Sequence, residues 1–134
     1  MPQVRLTRVA PGFAVADVFA TAEYYRDVLG FRFDQIWGQP PSFVILDRDD
    51  ARLMIKQVAA EALPRPARKR SNEQYDAYIY ASDVTALAEE LGGKGADIVE
   101  GPINRPIYNG RELIVRDCDG RVICFGQLLD AEGA

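Results

Sequence analysis

One pattern in this chain is written twice, and that repetition limits the folds open to it. The segment Ile107 to Gln127, IYNGRELIVRDCDGRVICFGQ, holds two alternating apolar runs, Glu112 to Arg116 and Arg121 to Phe125, around the polar stretch Asp117-Cys118-Asp119-Gly120. Alternation interrupted by a short polar, glycine-containing stretch is the sequence form of a β-hairpin. Moving back 70 positions gives Pro41 to Ile55, PSFVILDRDDARLMI, with Asp47-Arg48-Asp49-Asp50 under the turn and Leu53-Met54-Ile55 under Ile123-Cys124-Phe125. Asp17-Val18 and Asp83-Val84 repeat at an offset of 66. The chain therefore reads as one unit used twice.

Each unit reads as βαβββ. Arg8 to Val15 alternates, with Val9, Phe13 and Val15 on one face and Ala10, Gly12 and Ala14 on the other. Asp17 suits a helix N-cap, Phe19, Ala22, Tyr25, Val28 and Leu29 recur at helical spacing, and Gly30 supplies the stop. Phe31 to Trp37 alternates again before the Gly38-Gln39-Pro40-Pro41 break, and Ser42 to Leu46 with Arg52 to Lys56 forms the first hairpin. The second unit begins with Tyr75 to Ala81, continues through a helix over Ala86 to Leu91 closed by Gly95, a strand Ala96 to Glu100, and a loop from Gly101-Pro102 to Asn109-Gly110. Between the units, the prolines Pro64 and Pro66 lie beside Arg65, Arg68, Lys69 and Arg70. That stretch is a connection whose charges are solvated, or a basic flap over an anionic ligand. One domain spanning 1–134 is expected, with module one about 4–57, a linker about 58–74 and module two about 75–128.

Composition removes several function classes. Hydrophobic residues at 48% and charged residues at 27% are ordinary for a globular chain, and no apolar run is long enough to cross a bilayer. The N-terminal residues lack the apolar core of a signal peptide, so the cytoplasm is the expected compartment. A formal charge of −4 disfavours nucleic acid and mildly favours cationic ligands. Two cysteines make neither a disulfide framework nor a thiolate metal site. The absence of histidine excludes histidine-based proton transfer and the commonest metal ligand.

Val15-Ala16-Asp17-Val18 leading to Tyr24-Tyr25-Arg26-Asp27-Val28-Leu29-Gly30-Phe31, then Asp83-Val84, Gly95-Ala96, Gly101-Pro102 and the last hairpin, resembles the glyoxalase, bleomycin-resistance and extradiol-dioxygenase group, the vicinal oxygen chelate superfamily. Arg111-Glu112, Asp117 through Gly120 and Phe125-Gly126-Gln127 are most similar to its bleomycin-resistance-type members. The resemblance implies an α+β fold of paired βαβββ modules whose curled mixed sheets surround a cleft. It also implies metal ligands on the first and last strand of each module. Those places hold Ala10 and Met54 in the first module and Asp76 and Cys124 in the second. Alanine has no donor and methionine is a poor ligand for hard divalent ions, so no metal or other cofactor is expected.

If those positions face the cleft, alternation adds Tyr78, Tyr80, Leu113, Val115 and Val122 from module two, and Gly12, Ala14, Phe43, Ile45 and Arg52 from module one. The expected ligand-binding residues are Trp37, Phe43, Met54, Asp76, Tyr78, Tyr80, Leu113 and Cys124. Such rings stack on a planar ligand or simply fill the core. Trp37 would stand at the rim, or be a partly buried sheet residue. Asp76 would meet a ligand cation or amide, or be solvated, and Cys124 suits a small buried filler. Glu112, opposite in parity to Leu113, is given no catalytic role. The expected function is metal-independent binding of a small aromatic or cationic molecule by a homodimer, as the bleomycin-resistance resemblance implies. The alternative is an enzyme of the same superfamily, a lyase or isomerase acting on a small metabolite.

Overall fold

The protein is described by a computed structural model over residues 3–63 and 75–129. The basic cluster Arg65 to Arg70 lies outside the described residues.

Both modules begin with the same local chemistry. Asp17, in extended conformation, accepts a hydrogen bond at Oδ1 from the Ala20 amide at 3.1 Å and starts α1, Val18–Asp27. Asp83 accepts from Ala86 at 3.0 Å and starts α2, Val84–Gly93. An aspartate there satisfies one of the unpaired amides of a first helical turn. A glutamine from the module's last strand satisfies another, because Gln57 Oε1 accepts from the Val18 amide and Gln127 Oε1 from the Val84 amide, each at 2.9 Å. The helix start is thus tied to its own sheet by side chains that the repeat places identically.

The first sheet is built from β1 (Gly12–Val15), β2 (Ile36–Trp37), β3 (Phe43–Arg48) and β4 (Ala51–Gln57), in the order β1-β4-β3-β2. The second is built from β5 (Ala77–Tyr80), β6 (Asp97–Arg105), β7 (Gly110–Arg116) and β8 (Val122–Leu128), in the order β5-β8-β7-β6. In each, the first strand runs parallel to the last and the remaining pairs are antiparallel. This is the expected α+β pair of βαβββ modules, with both sheets open. Among the described residues, no helix is long and apolar enough to cross a membrane.

One core serves both sheets. Phe13, Val15, Val44, Leu46, Leu53 and Ile55 of the first module join Leu113, Val115, Ile123 and Phe125 of the second, with Val18, Ala22, Tyr25 and Leu91 from the helices between them. The helix-covered sides of the two sheets therefore bury one another, and their other sides carry the remaining chemistry.

Several boundaries differ from the sequence expectation. β1 starts at Gly12, not at Arg8; Pro11 has no amide to donate, and its carbonyl accepts from Met54 at 2.9 Å. The strand expected over Phe31 to Trp37 is reduced to an isolated bridge, Arg32 with Asp47, followed by Ile36–Trp37 pairing Val44–Phe43. The two registers differ by one residue, so the ladder slips between them. Phe19 is half exposed, and Thr21 occupies the buried helix face. β6 continues through Gly101-Pro102, where a loop was expected, and register shifts absorb the interruption. Gly101 has φ +108°, and the Glu112 carbonyl stands where its Cβ would be, so only glycine fits this approach.

Candidate functional site

The register of the second sheet decides which residues share its outer face. Cys124 of β8 lies between Tyr78 of β5 and Ile114 of β7, and Glu112 lies beside Gly126. Ile114, Val122 and Cys124 are buried together, with Tyr78 and Val99 packed against them. Tyr78 and Tyr80 of β5 and Tyr75 just before it form a row, with successive ring centroids 5.6 Å and 5.1 Å apart.

At the centre of this face lies a carboxylate. Glu112 is only 2% exposed and accepts from three side chains: the hydroxyls of Tyr108 and Tyr78, and Arg105 Nε at 3.0 Å. Burial pushes its carboxyl up, but these three donors outweigh burial and hold it below the usual glutamate range. The same arrangement keeps the donors protonated. Burial and then the Glu112 charge raise the Tyr78 hydroxyl strongly and the Tyr108 hydroxyl to about 12. Two glycines make the arrangement fit, since a Cβ on Gly126 would collide with the Tyr78 ring and one on Gly110 with the Tyr108 ring. The outer face is thus an apolar floor with tyrosine walls, set around the ion pair of the buried Glu112 with Arg105.

The first sheet carries a second, smaller set. Trp37, 40% exposed, lies 5.8 Å from Phe43 between ring centroids, and Ile45 and Met54 are half-buried beside them. A cavity of about 410 Å³ is bounded by Arg32, Phe33, Trp37, Ile45, Asp47 and Arg52, all from module one. Its floor is crossed by a two-point pair from Arg52 to Asp47 at 2.7 and 3.0 Å.

The eight expected ligand-binding residues therefore separate. Trp37, Phe43 and Met54 belong to the outer side of the first sheet, and Tyr78, Tyr80 and Cys124 to that of the second. Leu113 corrects the expectation: it is fully buried in the helix-side core, and Val115 with it, because β7 pairs Ile114, not Leu113, with Cys124. Asp76 accepts from the Val122 amide at Oδ2, 2.9 Å away, and so fastens the start of β5 to β8. Glu112, Tyr108 and Arg105 are the site residues that alternation missed. A lone glutamate in the apolar run ELIV, with Gly110 and Gly126 nearby in the two strands, was the available signal.

The superfamily-type metal positions do not fit a divalent cation. Ala10 offers no donor, Met54 offers a thioether, and Asp76 is already engaged by a backbone amide. Burial, followed by the nearby Glu112 charge, pushes the Cys124 thiol up to about 12, so it keeps its proton instead of presenting a thiolate. Glu112 is saturated by its own donors. Among the described residues, no cluster of three or more histidine, cysteine or acidic side chains is placed to hold a metal.

Residues 5–125 match the model of a family described as the Glyoxalase/Bleomycin resistance protein/Dioxygenase superfamily. Among solved structures, the chain is similar to TioX from Micromonospora sp. ML1, with 21% identity, a TM-score of 0.72, and coverage of 92% of this chain and 99% of that one. It is also similar to TnmS3, an antibiotic binding protein from Streptomyces sp. CB03234, with 21% identity, a TM-score of 0.67, and coverage of 93% and 99%. A curated relative, virulence protein STM3117 of Salmonella typhimurium strain LT2, is 24% identical over 115 residues, covering 84% of this chain and 78% of that protein.

Proposed function

Because the chain belongs to the Glyoxalase/Bleomycin resistance protein/Dioxygenase superfamily, we propose that it is a metal-independent cytoplasmic binding protein that sequesters a planar aromatic or cationic small molecule on the tyrosine-lined face of module two. The observation that carries this reading is the tyrosine-walled apolar floor of Ile114, Val122 and Cys124, with Tyr78 and Tyr108 fixed by the ionised Glu112. Such a site has aromatic faces for stacking, positioned by a buried carboxylate that Arg105 neutralises, but neither a free base nor an activated nucleophile. Similarity to TnmS3, an antibiotic binding protein, supports a small-molecule ligand.

In the proposed assembly two copies form a symmetric homodimer, and the outer face of one copy's first sheet, with Trp37, Phe43 and Met54, covers the outer face of its partner's second sheet. Each cleft then draws on both chains. An isologous pair is the commonest solution for a soluble homo-oligomer.

Thermal stabilisation across a panel of planar antibiotics and aromatic amines tests the reading, since a ligand that binds only the native state raises its apparent stability. For the compound that stabilises most, Tyr78→Ala is expected to weaken binding by roughly 1–3 kcal/mol, the scale of one ring's burial and stacking. Unchanged affinity in Tyr78→Ala would move the site elsewhere. A stoichiometric divalent ion in protein purified without chelators would overturn the metal-independent reading in favour of a superfamily enzyme.

A further inference from the structure

The repeat brings each module's helix against the other module's hairpin turn, so the molecule has two such junctions. They are not alike. Aligned at the repeat offsets, Thr21, Tyr24 and Tyr25 of α1 correspond to Leu87, Glu90 and Leu91 of α2, and Asp117 and Asp119 correspond to Asp47 and Asp49. Where α1 meets the β7–β8 turn, the junction is closed: the Tyr25 hydroxyl donates to Asp117 at 2.6 Å, Thr21 to Asp119 at 2.5 Å, and the Tyr24 hydroxyl to the Arg116 carbonyl at 3.4 Å.

Where α2 meets the β3–β4 turn, these closures are missing. Leu91 has no hydroxyl, and Asp47 turns to Arg52. The bond across is Arg48, which donates to both Glu90 oxygens at 2.8 Å and to the Leu29 carbonyl at 2.9 Å. Beside it a groove of about 550 Å³ remains, within the range of small-molecule sites. Its floor is apolar, from Phe31, Ile79, Leu87 and Phe125, and Tyr80 stands at its lip, 71% exposed. Its rim is acidic. Asp49, Asp50, Asp83 and Glu90 line the groove; among the described residues that line it Arg48 is the one cation, and Glu90 pairs with it and with Lys94, 3.7 Å away, which leaves the excess charge on Asp49, Asp50 and Asp83.

We propose that this groove between α2 and the β3–β4 turn is a second binding site, which takes a small organic cation with an apolar body. An ammonium head would lie among the rim carboxylates and a hydrocarbon or aromatic body on the phenylalanine and leucine floor. Both halves of that ligand are needed, because the floor side chains are apolar and, among the described residues, the rim carries more carboxylates than cations. The groove shares the Tyr80 ring with the outer face around Glu112, but its floor and acidic rim come from other residues, and it stands whether or not that face binds a drug.

The test is titration of isotopically labelled full-length protein with benzyltrimethylammonium, followed by amide NMR, with neutral N-benzylacetamide as the comparison. Saturable shifts centred on Ala81, Ser82 and Leu87 are expected for the cation and not for the amide. Asp49→Asn with Asp50→Asn is expected to weaken the cation about fivefold, the scale for two exposed charges. Asparagine tolerates the left-handed backbone of Asp49, φ 50°, so this variant keeps the turn. Ala86→Phe is expected to fill the groove and abolish the shifts, while Ala20→Phe at the repeat-equivalent helix position leaves them unchanged. The proposal is overturned if neither probe saturates, if both respond alike, or if the double asparagine variant binds as tightly as the parent. Shifts that centre on Tyr78 and disappear in Glu112→Gln would also overturn it, by assigning the cation to the outer face.

Discussion

Glu112 gathers donors from three places in the chain: Tyr78 on β5, Arg105 at the end of β6, and Tyr108 in the turn that follows. Its native pKa is depressed, so its contribution to stability is complete above the ordinary value of 4.5 and is lost as pH falls through the native value. Glu112→Gln keeps the size but places an amide where Tyr or Arg donors converge. We expect it to cost about 1–3 kcal/mol at neutral pH by urea unfolding, with the gap to the parent narrowing below the ordinary glutamate range. A pH-independent gap would mean that shape, not charge, matters at this position. The residue was hard to find from sequence for a reason of one position. Ending the strands at Arg116 and Arg121 sets Leu113 opposite Cys124; the observed partner of Arg116 is Val122, which sets Ile114 there instead. A one-residue slip sends every side chain to the other face, and nothing in DCDG announces which residue closes the ladder. Tyr78 and Cys124 share a face, because β5 pairs in parallel with β8 without crossing that turn.

Between the modules, α1 is tied to the β7–β8 turn by side-chain hydrogen bonds. Asp117 is 6% exposed and accepts from the Tyr25 hydroxyl and from the amides of Asp119 and Arg121. Burial raises its pKa in spite of these donors, so its linkage has the opposite sign to that of Glu112. The contribution of the protonated form is complete below the ordinary 3.8 and is lost as pH rises through the native value. Tyr25→Phe removes a donor that favours the charged form. It should destabilise by about 1–3 kcal/mol at pH 7 and by less as Asp117 protonates, read from urea midpoints across pH. An equal penalty at pH 3 and pH 7 would show that the hydroxyl acts only by packing. Elements with a local signal were legible here, including both caps, both helices and both hairpins. Tertiary closures such as Tyr25 with Asp117, 92 residues apart, leave no periodic trace. The continuation of β6 past Gly101-Pro102 was hidden for a related reason. Gly-Pro reads locally as a break, and only the partner strand reveals that the ladder resumes.

At the scale of the whole molecule, both sheets contribute to one core, so neither module alone covers its apolar side. Arg121 adds a further link, donating to the Ala14 carbonyl at 2.6 Å while its guanidinium lies 5.0 Å from the Phe13 ring centroid. The outer faces remain for a partner, and the proposed homodimer should sediment at about twice the chain mass of 14.9 kDa at micromolar concentration. A monomer that binds ligand at full stoichiometry would rule out the shared cleft. The unequal junctions have a further consequence for how this chain can change. In a fold that is written twice, every contact between halves exists in two versions, and once Tyr25 and Asp117 secure one version, the corresponding place at Leu91 is released from that duty. Gene duplication ordinarily grants such freedom to pairs of separate proteins, one held and one free to change; here both copies travel in a single polypeptide, and the copy without the closure is a groove.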